Sequence, residues 1–381
     1  MDSAPSRLLA LHFDKRMGEL IDKLAAGAPF VQLVGNVASV QDLERIAAMA
    51  RPDVILLEHP PEGDGFAAVV QRIQLLLPLT PLICLAAEKN PDQIMAALRL
   101  GLREYLVDER RLGDSFKEAM FRLRAAGQNL GPDAKGRIIG VMGAKGGVGV
   151  SHLAINLAWA ISQEQGLRVA LVDLDLFGGN EAFMLDQEVK RNFSDAAAMQ
   201  ERLDAAAMEG LLHEVAPGLR LLAAPDDPAD AEMINAEHVS SVLDVLARGY
   251  AVVVVDLGDS LAETTLTALD QAEMALLLLE PSLVGLKSAA RVCWLSRRLG
   301  HGDGKLRPVV NRHDARRAIA GREIEAVLNR KVLAWLPNEH DVITQAANAG
   351  QPALSLRPKA KWCKAVAFLA RQLLESPGEK P

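Results

Sequence analysis

IIGVMGAKGGVGVSHLAINLAWAI, residues 138–161, decides the fold. Ile138–Met142 is an apolar run of strand type, GAKGGVGVSH (143–152) is glycine-rich, and LAINLAWAI (153–161) has the apolar density of a buried helix. Strand, glycine-rich loop and helix in that order form a phosphate-binding loop. Glycines let successive backbone N–H groups curl around phosphate oxygens, and the helix start adds partial positive charge. The candidate nucleotide-contacting residues are Gly143, Ala144, Lys145, Gly146, Gly147, Val148, Gly149, Val150, Ser151 and His152. An ordinary loop of this kind ends Gly-Lys-[Ser/Thr]. Here Val150 separates Gly149 from Ser151, so the lysine that would reach the β/γ-phosphates is missing, and Lys145 stands ahead of the Gly146-Gly147 pair instead.

Working outward, further apolar runs end in carboxylates. Val169–Val172 leads into Asp173-Leu174-Asp175, and Ala251–Val255 leads into Asp256. Aspartates at the C-terminal ends of parallel strands can hold Mg²⁺ through its waters beside a triphosphate. Any one of them alone could equally cap a helix. Ala275–Leu279, Pro308–Val310 and Val332–Leu336 complete the expected strands. Continuous rather than alternating apolar runs imply burial on both faces, as in a parallel α/β sheet.

The lysine before the glycine pair resembles the deviant P-loop of MinD/ParA-like ATPases. That resemblance implies ATP and Mg²⁺ as cofactors. Ser151, Asp173 and Asp256 would serve the metal, the aspartates through water. Lys145 would reach the partner's nucleotide across a face-to-face homodimer, and Asp175 would orient the attacking water. Asn311 would face the adenine base, with Arg312 beside it and Pro337 in a loop closing over the base.

A narrower resemblance rests on GLRLLAAPDDP (218–228), RGYAVVVVDLGDS (248–260), LLLLEPSLVGLKSAARV (276–292) and the stretch 311–354. These are similar to the TadZ/CpaE proteins of tight-adherence (Flp-type) pilus assembly. In that family an atypical receiver domain precedes a MinD/ParA-like domain, often without the P-loop lysine. The resemblance implies a nucleotide-dependent dimeric platform at a cell pole, with weak or absent hydrolysis. Its implied partners are a secretion ATPase and inner-membrane pilus components. A cycling MinD/ParA-type ATPase that positions DNA or other cargo is the alternative.

The chain ahead of the loop fits two α/β domains: a flavodoxin-like, receiver-like sheet over 1–126, a linker at 127–137 (GQNLGPDAKGR), and the larger parallel-sheet P-loop domain over 138–381. Expected strands are Leu8–Phe13, Val31–Leu33, Pro52–Leu57, Pro81–Ala86 and Glu104–Val107. Ser39 and Asn90-Pro91 are helix-start signals. A phosphorylatable receiver needs acids after strand one, an aspartate after strand three, a hydroxyl after strand four and a lysine after strand five. Asp14 could serve first, but the later positions read Glu58, Ala86-Ala87 and Asp108. Glu58 cannot be phosphorylated in the usual way. It reads either as a solvated carboxylate or as a fixed charge mimic, and in both cases the domain is a fixed docking or dimerisation module.

Composition narrows the function further. The 381 residues are half hydrophobic and 24% charged, which excludes disorder over most of the chain. No apolar run approaches about 18 residues, so no spanning segment is expected, and no secretory signal opens the sequence. A net charge of −7 without Lys/Arg runs gives no electrostatic support for direct nucleic-acid binding. Three widely separated cysteines and only two tyrosines argue against an iron–sulfur reductase and against a tyrosine-tailed kinase of the same class. A cytoplasmic location is expected. The segment Lys361–Leu374 is amphipathic, and reads as the last core helix or as a membrane-surface helix.

Overall fold

The computed structural model describes residues 5–60, 65–78, 80–108, 110–127, 135–199, 202–314 and 319–375. Most of the expected linker (128–134) and the final tail (376–381) lie outside the described residues. The chain divides into two compact units, one drawn from residues 2–129 and the other from 130–162 and 167–381.

In the N-terminal unit, β1 (Ser6–Leu11), α1 (Lys15–Ala26), β2 (Val31–Val37), α2 (Val40–Ala50), β3 (Val54–Glu58), α3 (Phe66–Leu76), β4 (Leu82–Ala86), α4 (Pro91–Arg99), β5 (Glu104–Val107) and α5 (Leu112–Gly127) alternate. The parallel sheet has order β2-β1-β3-β4-β5, the doubly wound flavodoxin-like arrangement. Period-two geometry splits each strand between two cores. Leu8 and Ala10 pack with Met17, Ile21, Phe116 and Met120, whereas Leu9 and Leu11 pack with Leu43, Phe66, Val70 and Ile73. The helix-start signals act as read: Ser39 Oγ accepts from the Asp42 N–H, and Asn90 Oδ1 accepts from those of Asp92 and Gln93.

The C-terminal unit begins with β6 (Arg137–Gly143), α6 (Val150–Trp159) and β7 (Val169–Asp173). Short elements follow: α7 (Glu181–Met184), α8 (Phe193–Met199), α9 (Ala205–Glu209), β8 (His213–Ala216), β9 (Leu219–Leu222) and α10 (Pro228–Glu232). Then come α11 (Ala236–Gly249), β10 (Val252–Asp256), α12 (Glu263–Gln271), β11 (Met274–Leu279), α13 (Leu283–Arg298), β12 (Leu306–His313), α14 (Gly321–Leu328), β13 (Ala334–Pro337), α15 (His340–Asn348), α16 (Ala353–Leu356) and α17 (Lys361–Glu375). The eight strands run β13-β12-β11-β6-β10-β7-β9-β8. All pair in parallel except β8 on β9, so the sheet is mixed at one edge, where a wholly parallel one was expected. The hairpin escaped the reading because its strands are short and β8 is only half-buried, which weakens the apolar signal.

α17 settles one open alternative. Trp362, Val366, Leu369, Ala370 and Leu373 are buried in the core on the α6 face of the sheet, while Phe368 is 61% exposed. The apolar stripe is core. Leu369→Ala should therefore cost about 2–5 kcal/mol in denaturant melts, as buried leucine truncations do. Phe368→Ala should stay within about 0.5 kcal/mol; equal effects would contradict the packing.

Candidate functional site

The start of the loop is tied down by backbone. The Gly143 N–H donates to the Gly258 carbonyl and the Ala144 N–H to that of Leu278, each at 2.8 Å. Gly149 precedes α6 with φ of 98°, a left-handed conformation that suits glycine. A Cβ there would also meet the Asn311 amide nitrogen at 2.9 Å. Val150 is buried in the apolar cluster around α6. The side chain at the missing lysine's position thus serves packing.

The cations near the loop are held by one carboxylate. Lys145 Nζ lies 3.0 Å from Glu280 Oε2, and Arg312 Nη1 donates to Glu280 Oε1 at 2.6 Å. The second Arg312 nitrogen donates to the Gly147 carbonyl at 2.9 Å. Glu280 follows β11 directly and was not among the expected site residues, although a carboxylate at a parallel strand's C-terminal end is a readable signal.

Asn311, expected against an adenine base, is engaged at both ends of its amide. Its nitrogen donates to the Val148 carbonyl at 2.8 Å, and its oxygen accepts from Trp362 Nε1 at 3.2 Å. It braces the loop through the Val148 carbonyl. Beside it, Gly149, His152, Arg312, Pro337, His340, Thr344 and Trp362 line a cleft of about 80 Å³. The residues assigned to the base side of the site are therefore brought together, with Trp362 as an unforeseen member. Burial, then the nearby Arg312 and His340 charges, lower the His152 pKa, which favours the neutral imidazole.

β7 and β10 are adjacent and in register, pairing Asp173 with Asp256. Both carboxylates are buried. Asp256 Oδ1 accepts from the Gly258 N–H at 2.8 Å, while Oδ2 has no hydrogen-bond partner. Burial raises the Asp256 pKa to about 6; the Ser151 hydroxyl moderates the rise without closing a well-formed bond on Oδ2. Burial and the Asp256 charge hold Asp173 well above the usual carboxylate range. Asp175 is half-buried, with its pKa raised by desolvation and by Asp259. Gly258, with φ of 60°, leaves room for it: a Cβ there would sit 3.0 Å from the Asp175 carboxyl carbon. Glu181 is a fourth acid and was not expected. It is wholly buried, neither oxygen has a hydrogen-bond partner, and burial followed by the Asp173 and Asp256 charges raises its pKa strongly. No local pattern in NEAFML distinguishes it from an ordinary first-turn glutamate.

An orphaned, buried Asp256 oxygen suits a divalent cation held through water, since direct ligation needs several converging oxygens. Among the described residues, no group of three or more His, Cys, Asp or Glu side chains is spaced to grip a metal directly.

In the N-terminal unit, Glu58 is buried, not solvated, which corrects one of its two readings. Its Oε2 accepts from the Phe13 N–H at 2.5 Å and the Asp14 N–H at 3.0 Å. The longer glutamate side chain folds back onto the β1–α1 turn. Asp14 caps α1, and Asp108 is paired with Arg16 at 2.8 Å.

The raised Asp256 pKa has a stability consequence. A folded-state pKa near 6 against about 4 unfolded means that stability falls as pH rises through that window. Asp256→Asn keeps the oxygen facing Gly258 and removes the charge. It should stabilise the ligand-free chain by about 2–3 kcal/mol at pH 8. The gain should shrink below about pH 6 and vanish near pH 4. A gain independent of pH would contradict the burial argument.

Residues 135–214 match the ParA family model, described as NUBPL iron-transfer P-loop NTPase. The septum site-determining protein MinD of Thermotoga maritima is 26% identical over 244 residues, covering 62% of this chain and 88% of that protein. The chromosome partitioning protein ParA of Myxococcus xanthus is 27% identical over 256 residues, covering 63% and 88%. Among solved structures, a ParA family ATPase from Chlorobium tepidum superposes with a TM-score of 0.60 at 27% identity, over 63% of this chain and 99% of that one. MinD of Pyrococcus horikoshii, solved with Mg-ADP, shares the fold with a TM-score of 0.55 at 23% identity, over 63% and 96%. The C-terminal unit thus resembles, in sequence and in fold, the P-loop NTPases of the MinD/ParA type.

Proposed function

We propose that this chain is an ATP-binding organiser of tight-adherence (Flp-type) pilus assembly. It acts as a nucleotide-dependent homodimeric platform at a cell pole and hydrolyses ATP slowly or not at all. The observation that carries this reading is the loop itself. Its backbone, Ser151, Asp173 and Asp256 are retained, while Val150 is buried where the phosphate-reaching lysine is missing. The buried Glu58, in the position of a receiver's acceptor aspartate, supports a docking role for the N-terminal unit. It already holds two backbone N–H groups and has no phosphorylation chemistry.

Mg²⁺, when bound, would neutralise triphosphate charge beside Ser151, with Asp173 and Asp256 holding its waters and Asp175 aligning the attacking water. Losing one charge-assisted contact weakens binding by roughly 1.5–3 kcal/mol. Losing one preorganised stabiliser slows the chemistry by about 10²–10³. Binding therefore survives better than turnover.

The second reading, a cycling ATPase that positions cargo, is favoured by the relatives named for septum placement and chromosome partitioning. Iron transfer is not favoured. Cys293 and Cys363, the cysteines of this unit, are both buried.

Imaging a fluorescent fusion separates the first two. Discrete foci that disperse when the pilus genes are deleted are expected; a nucleoid-following signal indifferent to those genes would favour cycling. In steady-state phosphate release, Val150→Lys should raise the rate by about 10²-fold. Brisk wild-type turnover unchanged by Val150→Lys would refute the slow-enzyme reading. ATP should promote self-association by linkage, and Lys145→Ala should abolish that ATP-dependent component in sedimentation. Association unaffected by ATP would remove the platform.

A further inference from the structure

We propose that Arg312 supplies the phosphate-facing positive charge that Val150 removed, and that Glu280 is an internal anion which the triphosphate displaces from Arg312 and Lys145. This assignment rests on the nucleotide-binding reading above and deepens it.

The backbone of β12 carries the argument. In a regular strand, consecutive side chains point to opposite faces. Asn311 and Arg312 are consecutive, yet Asn311 donates to the Val148 carbonyl and Arg312 to the neighbouring Gly147 carbonyl. The pairing of β12 with β13 explains how. Val310 pairs with Trp335 and His313 with Pro337, so β12 carries one extra residue across this interval. Arg312 sits within it at φ of 54°, a left-handed conformation that is uncommon away from glycine. An irregularity of this kind re-aims a side chain. Here it delivers a guanidinium to the glycine-rich loop.

That guanidinium is suited to the task. Arginine is always charged, and its planar fork matches phosphate oxygens in pairs. Arg312 is partly exposed and lines the same cleft as Gly149 and His152. Its present partner, Glu280, also holds Lys145, and the carboxylate sits at the end of β11 beside the loop. One anion thus bridges two cations at the place where a triphosphate would bring several negative oxygens. Displacing Glu280 would free both cations together.

The test is equilibrium binding of ATP, ADP and AMP to the whole chain. Arg312→Ala should weaken ATP at least about tenfold while leaving AMP little changed, because a phosphate-directed charge is felt in proportion to the phosphates present. Glu280→Gln should move ATP affinity the other way. Val150→Lys placed on Arg312→Ala should restore ATP binding, since it returns a cation to the loop. Equal losses for ATP and AMP in Arg312→Ala would show that Arg312 only braces Gly147, and would overturn the assignment, as would weaker ATP binding by Glu280→Gln. These comparisons stand even if the double variant fails to fold. If the wild-type chain binds none of the three nucleotides, the nucleotide-binding reading itself falls; ATP binding indifferent to Arg312→Ala removes the Arg312 role alone.

Discussion

Five adjacent parallel strands, β12, β11, β6, β10 and β7, end on one edge of the larger sheet, and the site depends on that shared edge. Parallel pairing fixes which residues emerge together. Asp173 and Asp256 are opposite each other because β7 and β10 are in register, and Leu278 receives the Ala144 N–H because β11 lies against β6. Sequence separations of more than a hundred residues collapse into one cleft edge. Lys145, Glu280 and Arg312 are neighbours only for this reason, as are Asp173 and Asp256.

Charge at that edge is unevenly distributed. On one side, Asp173, Asp256 and Glu181 are buried and carry raised pKa values, with orphaned oxygens on Asp256 and Glu181. On the other, Lys145 and Arg312 share the single carboxylate of Glu280. Buried carboxylates without partners are costly, and a ligand that supplies compensating charge relieves the cost. A metal–triphosphate complex presents cation and anion together. It would answer both sides at once, which is the physical case for a nucleotide platform despite the missing lysine.

Much of this was legible in the sequence. The strand–glycine loop–helix signature, the apolar strands and the strand-end aspartates are local patterns with fixed spacing, and the structure places them as read. The five-stranded parallel N-terminal sheet follows from regular β/α alternation. What escaped depends on tertiary contact. Glu181 looks like any helix-start acid until its N–H is seen donating to the Asp173 carboxylate at the end of β7. The amide of Asn311 could not be assigned to Val148 and Trp362 without the fold. The β8–β9 hairpin is short and half-exposed, so its pattern is weak. Glu58 was readable as a chemical departure, but its burial under the Phe13 and Asp14 amides was not, because that turn is set by backbone geometry.

The central claim is that this site holds ATP without rapidly consuming it. The most direct measurement is the identity of the nucleotide retained after the whole chain is incubated with Mg·ATP for many minutes, rapidly desalted and denatured. The account predicts intact ATP in near-stoichiometric amount. Recovery of ADP with released phosphate, or of no nucleotide, would contradict it.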